Sequence, residues 1–129
     1  MRAGHDATVI ACGVMVAEAL SAAEKLKLEG IELKVVNMHT IKPIDVEMIV
    51  NSAKETGAIV TAEEHQITGG LGSAVAEVLA RHYPCPMEMV GVKDSFGESG
   101  SPAQLLAHYG LKDANIVDAV KKVIRRKKG

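Results

Sequence analysis

Aromatic side chains are nearly absent from this sequence of 129 residues, which has one Phe, two Tyr and no Trp. Surfaces that stack nucleic-acid bases and cages that bind quaternary ammonium groups are both built from exposed aromatic rings. The scarcity of rings therefore argues against either kind of site. It also means that aliphatic side chains must fill the core.

An excess of charge of either sign is also missing. The chain has 15 Lys and Arg residues against 16 Asp and Glu residues, for a formal net charge of -1 at pH 7. Because binding nucleic acid requires clustered cations that neutralise several phosphates, we expect no nucleic-acid partner. The one marked basic run, at residues 121–128, is interpreted as the last turns of a helix, where the helix dipole favours cations.

Cysteine and long apolar runs are scarce as well. Cys12 and Cys85 are the two cysteines, they form no CxxC motif, and no secretory segment precedes them. We therefore expect a reducing compartment, with the cytoplasm as the default. No apolar stretch approaches the ~20 residues that cross a bilayer, so we expect no membrane partner.

The composition is that of an ordinary folded domain. Hydrophobic residues make up 47% of the chain and charged residues 24%. A chain of this length can bury a core of its own but is short for two domains. We therefore expect one domain over residues 1–129.

Short apolar runs alternate with segments of helical periodicity along most of the chain. The apolar runs predict four strands, and the last of them is the most polar, as an edge strand would be. Apolar residues three and four apart predict the helices. The strands are expected at residues 6–13, 31–38, 58–63 and 87–92, and the helices at 15–29, 46–57, 71–82, 101–109 and from 113 onward.

Particular residues define the expected ends and faces of these helices. Asp45 and Asp113 are expected N-caps, and Gly30 and Gly57 are expected at helix C-termini. The predicted apolar faces are Val16, Leu20, Ala23 and Leu26 in the first helix, Val46, Ile49, Val50 and Ala53 in the second, and Ile116, Val117, Val120, Val123 and Ile124 in the last.

This alternation predicts an α/β fold, a three-layer α/β/α sandwich on a mainly parallel sheet. The expected strand order is 2-1-3-4. In such a sheet the winding reverses between strands one and three, and ligands tend to bind beyond the carboxyl ends of those two strands. Gly13 and the turn from Glu63 to Gly72 follow these ends.

Three polar residues follow the third strand directly. Glu63, Glu64 and His65 place two carboxylates beside an imidazole, a combination that serves in acid–base catalysis or in metal binding. No further His or Cys has a spacing that completes a metal site. The alternative is that these residues contact another subunit or domain, or simply end the strand.

A glycine-rich turn comes next and opens the third helix. Gly69, Gly70 and Gly72, followed by Ser73, could present backbone N–H groups to a phosphate. The spacing completes neither the dinucleotide fingerprint, since Val75 stands where Gly or Ala is needed, nor the P-loop, since its Lys is missing. The alternative is a tight turn that allows close helix–sheet packing.

Farther on, Phe96 is the sole Phe and lies in a polar loop, where it could anchor an interface or pack onto its own domain.

Three separated segments together closely resemble the C-terminal domain of transketolases. They are residues 35–45 (VVNMHTIKPID), residues 61–65 with 69–75 (TAEEH and GGLGSAV), and residues 96–100 (FGESG). The likeness covers essentially the whole chain and is closest to short or split transketolases, in which this domain ends a separate C-terminal subunit. The β subunit of 2-oxoacid dehydrogenases is similar mainly over residues 37–45.

The resemblance implies a part of a larger enzyme that transfers a two-carbon ketol unit between sugar phosphates. That enzyme uses thiamine diphosphate and a divalent metal, Mg²⁺, but the segments that bind them and the glutamate that activates thiamine belong to other domains. By this resemblance the chain holds no catalytic, cofactor-binding or metal-binding residue and is inactive alone. Its implied partners are the other transketolase domains or subunit, within a homodimer of the parent enzyme.

The family also has an antiparallel edge strand just before the first parallel strand, where this chain has only residues 1–5. We therefore expect that strand to be missing and the chain to be a fragment of a longer one. Three alternatives stay open: a dehydrogenase β-subunit domain, a ligand-binding regulatory module using the glycine turn, and a small enzyme using Glu64 and His65. In the leading interpretation the candidate residues Glu63, Glu64, His65, Gly69, Gly70, Gly72, Ser73 and Phe96 face protein.

Overall fold

A computed structural model describes residues 4–12, 15–38, 44–63, 70–91 and 113–128. Strands and helices alternate in these residues, in the order expected from the sequence. The helix predicted at residues 101–109 lies outside the described residues. The elements are β1 (Ala7–Ala11), α1 (Met15–Lys27), β2 (Leu33–Asn37), α2 (Val46–Thr56), β3 (Ile59–Ala62), α3 (Leu71–His82), β4 (Met87–Val90) and α4 (Asp113–Lys128).

The four described strands form one parallel sheet in the order β2-β1-β3-β4. Val9, at the middle of β1, lies opposite Val35 of β2 and Val60 of β3. Each consecutive pair of strands is joined through a helix, as parallel pairing requires. The predicted strand order is confirmed, and β4 is an outer strand as expected.

Helices cover both faces of the sheet, which confirms the three-layer sandwich. One core contains residues of α1 and α4 against one face, and a second contains residues of α2 and α3 against the other. Both cores are aliphatic. The largest fully buried side chains are those of Ile10, Met15, Leu26, Leu33, Ile49, Ile59, Leu71 and Ile116.

The predicted apolar face was wrong at one position in each of the first two helices. Leu20 of α1 is 38% exposed, whereas Ala19, Ala22 and Ala23 are fully buried. Short alanine side chains let α1 lie close to the sheet, so the centre of its buried face falls on them and Leu20 is left at the margin. Val46 of α2 is likewise exposed, because it occupies the first position of the helix.

The ends of α2 agree with the sequence-based predictions. The carboxylate of Asp45 accepts a hydrogen bond from the Met48 amide at 3.0 Å, which is the geometry of an N-cap. Gly57 ends the helix with φ of 69°, in the left-handed region that favours glycine. Its amide donates to the Ala53 carbonyl at 2.7 Å.

A buried pair of hydroxyl groups joins the start of the sheet to the end of α2. The Oγ1 atoms of Thr8 and Thr56 are 2.9 Å apart, and Thr56 Oγ1 donates towards the carbonyls of Ser52 and Ala58 at 3.0 and 3.1 Å. Thr56 has a single hydroxyl proton, so the arrangement in which Thr56 donates to these carbonyls has Thr8 as the donor in the pair, and we assign it so.

Several cations of the basic run at the end of α4 contact groups of the same domain. Lys121 pairs with Glu29 at 2.8 Å, and Arg126 pairs with Glu88 at 2.7 Å. The ammonium of Lys127 donates to the carbonyls of Asp6 and Thr56, at 2.8 and 2.7 Å. Lys127 thereby neutralises the carbonyl end of α2, where the helix dipole is negative.

The other end of α4 is fixed to α1 by a carboxylate. Asp113 accepts hydrogen bonds from the Ser21 hydroxyl at 2.5 Å and from the Lys25 ammonium at 3.0 Å. The hydrogen bond from Ser21, followed by the one from Lys25, lowers the pKa of Asp113 from its ordinary value. This contact therefore joins the first residue of α4 to α1.

We predict unequal effects from removing the two buried hydroxyl groups. Thr56→Val should lower the free energy of unfolding by about 1–3 kcal/mol, because the Thr8 hydroxyl is left without its acceptor. Thr8→Val should cost less, about 0.5–1.5 kcal/mol, since Thr56 keeps its carbonyl partners. Urea denaturation of both variants and of the double variant measures this; equal losses in the two single variants would contradict the assigned donor.

The Asp113 contact should make stability depend on pH. A carboxyl group whose folded pKa lies below its unfolded value stabilises the fold above the unfolded pKa, near ~3.9, and loses that contribution as pH falls through the folded pKa. Asp113→Asn should therefore cost about 0.5–1 kcal/mol at pH 7, with the difference from the parent chain shrinking below pH ~4.

The matched control is Asp118→Asn, an exposed carboxylate on the same helix. It should change the free energy of unfolding by less than about 0.5 kcal/mol at either pH. Denaturation midpoints at several pH values measure both variants. A pH-independent loss for Asp113→Asn would show that its charge is not what matters.

Candidate functional site

The predicted site lies at the carboxyl end of the sheet, where β1 and β3 stop. The Cys12 amide donates to the Ala62 carbonyl at 3.3 Å, one position beyond β1. The Glu63 amide donates to the Val90 carbonyl at 3.1 Å, one position beyond β3. Glu63 therefore has its backbone fixed by the sheet, and its side chain starts from a rigid position.

The carboxylate of Glu63 binds the first turn of α3. Its Oε1 accepts from the Leu71 amide at 3.1 Å, and its Oε2 accepts from the Gly72 amide at 2.9 Å. Both amides lie in the first turn of the helix, where N–H groups have no acceptor within the helix and the helix dipole is positive. One side chain thus ties the end of β3 to the beginning of α3.

Gly72 brings the same turn close to the sheet. A Cβ atom at this position would collide with the sulfur of Met89 and lie 3.3 Å from Thr61 Oγ1. Gly70 is the N-cap residue, and its carbonyl accepts from the Ala74 amide at 3.0 Å. The contacts of Gly72 are those of close helix–sheet packing, whereas neither described glycine of this turn has a positive φ.

The hypothesis that the glycine turn binds a phosphate requires backbone N–H groups that are free to donate. The two first-turn amides of Leu71 and Gly72 already donate to Glu63, so an anion could use them only by displacing that carboxylate. Ser73 is exposed at the surface of the same turn. Glu64, His65, Gly69 and Phe96 lie outside the described residues, and the acid–base hypothesis that involves Glu64 and His65 stays a prediction.

Sequence reasoning missed the role of Glu63 as the cap of α3. The usual N-terminal signal is a Ser, Thr, Asp or Asn immediately before the helix, but here the acceptor stands eight residues before Leu71. The contact depends on the chain returning to the strand end that it left. A local pattern contains no such information, although an acidic residue at a strand end before a glycine turn could have suggested it.

The described part of the chain offers neither a metal site nor a membrane-spanning helix. No three His, Cys, Asp or Glu side chains converge there in a way that could hold a metal ion. None of the described helices is both long enough and apolar enough to cross a membrane.

Comparisons with known proteins identify relatives of this chain. The chain is 50% identical over 127 residues to the 6-deoxy-6-sulfo-D-fructose transketolase subunit SqwH of Clostridium sp. (strain MSTE9), covering 98% of this chain and 39% of that subunit. It is 43% identical over 117 residues to 1-deoxy-D-xylulose-5-phosphate synthase of Heliobacterium modesticaldum, covering 90% of this chain and 18% of the synthase.

A solved structure has the same fold. The chain superposes on a split-gene transketolase, an inactive beta4 tetramer, with a TM-score of 0.94 and 54% sequence identity, over 98% of this chain and 41% of that one. The chain therefore spans about two fifths of the length of the split transketolases that it matches. Since the family model for the transketolase C-terminal domain also matches residues 1–116, the chain belongs to the transketolase C-terminal domain family.

Proposed function

We propose that this chain is the C-terminal domain of a thiamine-diphosphate-dependent transketolase and is catalytically silent by itself. The observation that carries the proposal is the match to a split-gene transketolase over 98% of the chain at a TM-score of 0.94. Thiamine diphosphate and Mg²⁺ are bound by other domains of the parent enzyme. The work of this domain is to pack against those domains and to help assemble the enzyme.

The relatives support a role in assembly. One is described as a transketolase subunit, and another forms a tetramer of a single kind of subunit. We propose that this domain joins the remaining transketolase domains or a partner subunit, within a cytoplasmic enzyme that is a homodimer of the parent. Residues 1–129 would then be one domain of a longer or split enzyme.

The turn from Glu63 to Gly72 is proposed to face a protein partner. The carboxylate of Glu63 is used within the fold, and Gly72 is used in packing, so neither is free to bind a substrate. Exposed residues beside them, such as Ser73, would supply the contact. We extend the proposal to Glu64, His65, Gly69 and Phe96 as predicted members of the same surface.

The alternatives have less support. The relatives described above are transketolases and a 1-deoxy-D-xylulose-5-phosphate synthase, which does not favour a dehydrogenase β subunit. A regulatory ligand at the glycine turn would have to compete with Glu63 for the two amides. No contact in the described residues favours an independent enzyme.

We predict that the isolated chain shows no ketol transfer, because the groups that bind and activate thiamine are elsewhere. The assay supplies ketose and aldose phosphates, thiamine diphosphate and Mg²⁺. As the positive arm, this chain replaces the matching section of the Clostridium subunit, and the assembled chimaera is assayed with that enzyme's own substrate. The chimaera should keep its rate within about tenfold, which is ~1.4 kcal/mol of activation free energy.

The matched control is the Clostridium subunit with that section deleted, which should be inactive. Turnover by the isolated chain would sink the proposal. So would a soluble chimaera that is no more active than the deleted subunit.

A second prediction concerns Glu63. Glu63→Gln keeps the size of the side chain but loses the charge and one acceptor oxygen, so it should lower the free energy of unfolding by about 1–3 kcal/mol. Hydrogen exchange should become faster for at least one of the Leu71 and Gly72 amides, because a single amide oxygen replaces the two carboxylate oxygens that accept from them. Urea denaturation and amide exchange followed by NMR measure the two effects.

The control for Glu63 is Glu77→Gln, which removes an exposed carboxylate from α3 that pairs with Arg81 at 3.3 Å. It should change the free energy of unfolding by less than about 0.5 kcal/mol and leave both amides protected. If Glu63→Gln behaved like this control, the carboxylate would be available for a role outside the fold.

A further inference from the structure

β4 is an outer strand, and it is the only described strand with no buried residue. The Ile59 amide donates to the Pro86 carbonyl and the Glu63 amide donates to the Val90 carbonyl, so residues 86, 88 and 90 pair with β3. In a parallel pair of strands, the backbone amides and carbonyls of the residues between these face away from the partner strand. The backbone amide and carbonyl of Met89 therefore face outward, where no further strand stands among the described residues.

The two outer strands differ in how well they are covered. The apolar residues of β2, Leu33, Val35 and Val36, are at most 5% exposed. Met89 of β4 is 63% exposed, and Gly91 beyond it is exposed too. At the start of β4, the Met87 carbonyl already accepts a hydrogen bond from Arg126 at 2.7 Å. An exposed strand edge of this kind is a template for pairing with another extended segment.

One side of the β4 edge is apolar. A groove of about 280 Å³ runs between α3 and β4 and is lined by Ala76, Leu79, Ala80, Pro84, Cys85 and Met87, with Arg126 at its rim. Burial raises the pKa of the Cys85 thiol, so it remains a neutral lining group at physiological pH. Met89 extends the same apolar side towards the end of the strand, because its side chain reaches the first turn of α3 at Gly72.

The opposite side of the same edge is cationic. Glu88 of β4 faces two cations of α4, Lys122 at 3.7 Å and Arg126 at 2.7 Å. These two side chains are 61% and 50% exposed, whereas that of Glu88 is 20% exposed, so two partly exposed cations share one carboxylate. The local excess of positive charge disfavours a second copy of this edge, since like charges would meet, and favours an acidic occupant.

We propose that the outer edge of β4 binds an extended protein segment in which apolar and acidic residues alternate. Side chains of a strand point alternately to opposite faces, so the apolar residues would enter the groove beside α3 and the acidic residues would meet Lys122 and Arg126. The backbone of the segment would pair with the outward amide and carbonyl of Met89. This proposal does not depend on ketol transfer, and it holds whether or not the parent enzyme is a transketolase.

The test uses a fluorescent peptide of about seven residues, the length of a typical strand, in which valine and glutamate alternate. Fluorescence anisotropy should show saturable binding to the chain that weakens as salt is added, because exposed charges are screened. A peptide of alternating valine and lysine, and a backbone N-methylated version of the glutamate peptide, should each bind at least about tenfold more weakly.

Variants of the chain identify the surface. Lys122→Gln should weaken binding of the glutamate peptide severalfold, and Met89→Ala should weaken it without changing its salt dependence. Lys121→Gln is the matched control, since it removes the neighbouring positive charge, which pairs with Glu29 away from β4. Urea denaturation confirms that each variant remains folded.

The proposal fails if the glutamate peptide does not bind, if the lysine or N-methylated peptide binds equally well, or if Lys121→Gln weakens binding as much as Lys122→Gln. Sedimentation equilibrium of the chain alone provides a further check. Dimerisation that Met89→Ala abolishes would assign the edge to a second copy and overturn the acidic segment.

Discussion

Burial of the two central strands on both faces is the constraint on which the rest of this structure depends. Every residue of β1 and of β3 is buried. A strand with no polar face must be covered on both sides, and the chain meets this with α1 and α4 on one face and α2 and α3 on the other. Helical crossovers, parallel pairing and alanine-lined helix faces all follow from this requirement.

The same constraint moves polar interactions to the two ends of the sheet. At the amino end, the Thr56 hydroxyl and the Lys127 ammonium satisfy carbonyls of α2 and of the residues just before β1 and β3. At the carboxyl end, Glu63 satisfies two amides of α3. Because a buried polar group without a partner is costly, these few side chains fix how the helices meet the sheet.

Local patterns in the sequence were sufficient for the described elements and their strand order. Apolar runs located β1 to β4, and Asp45 and Gly57 marked the ends of α2 through their own side-chain and backbone chemistry. The exposed position of Leu20 was not predictable, because it depends on how close alanine residues bring α1 to the sheet. The cap supplied by Glu63 joins positions eight and nine residues apart through the fold, and the contact of Lys127 with Asp6 joins the two ends of the chain. Periodicity cannot reveal such pairings.

The candidate site shows that residue types alone do not assign a role when the contacts of the side chains are unknown. A carboxylate beside a glycine turn at the carboxyl end of a parallel sheet has the composition of a ligand site. In the structure this carboxylate is itself the anion at the start of α3, so a ligand could use the Leu71 and Gly72 amides only by displacing it. The outer edge of β4 differs, because the outward amide and carbonyl of Met89 meet no further strand among the described residues.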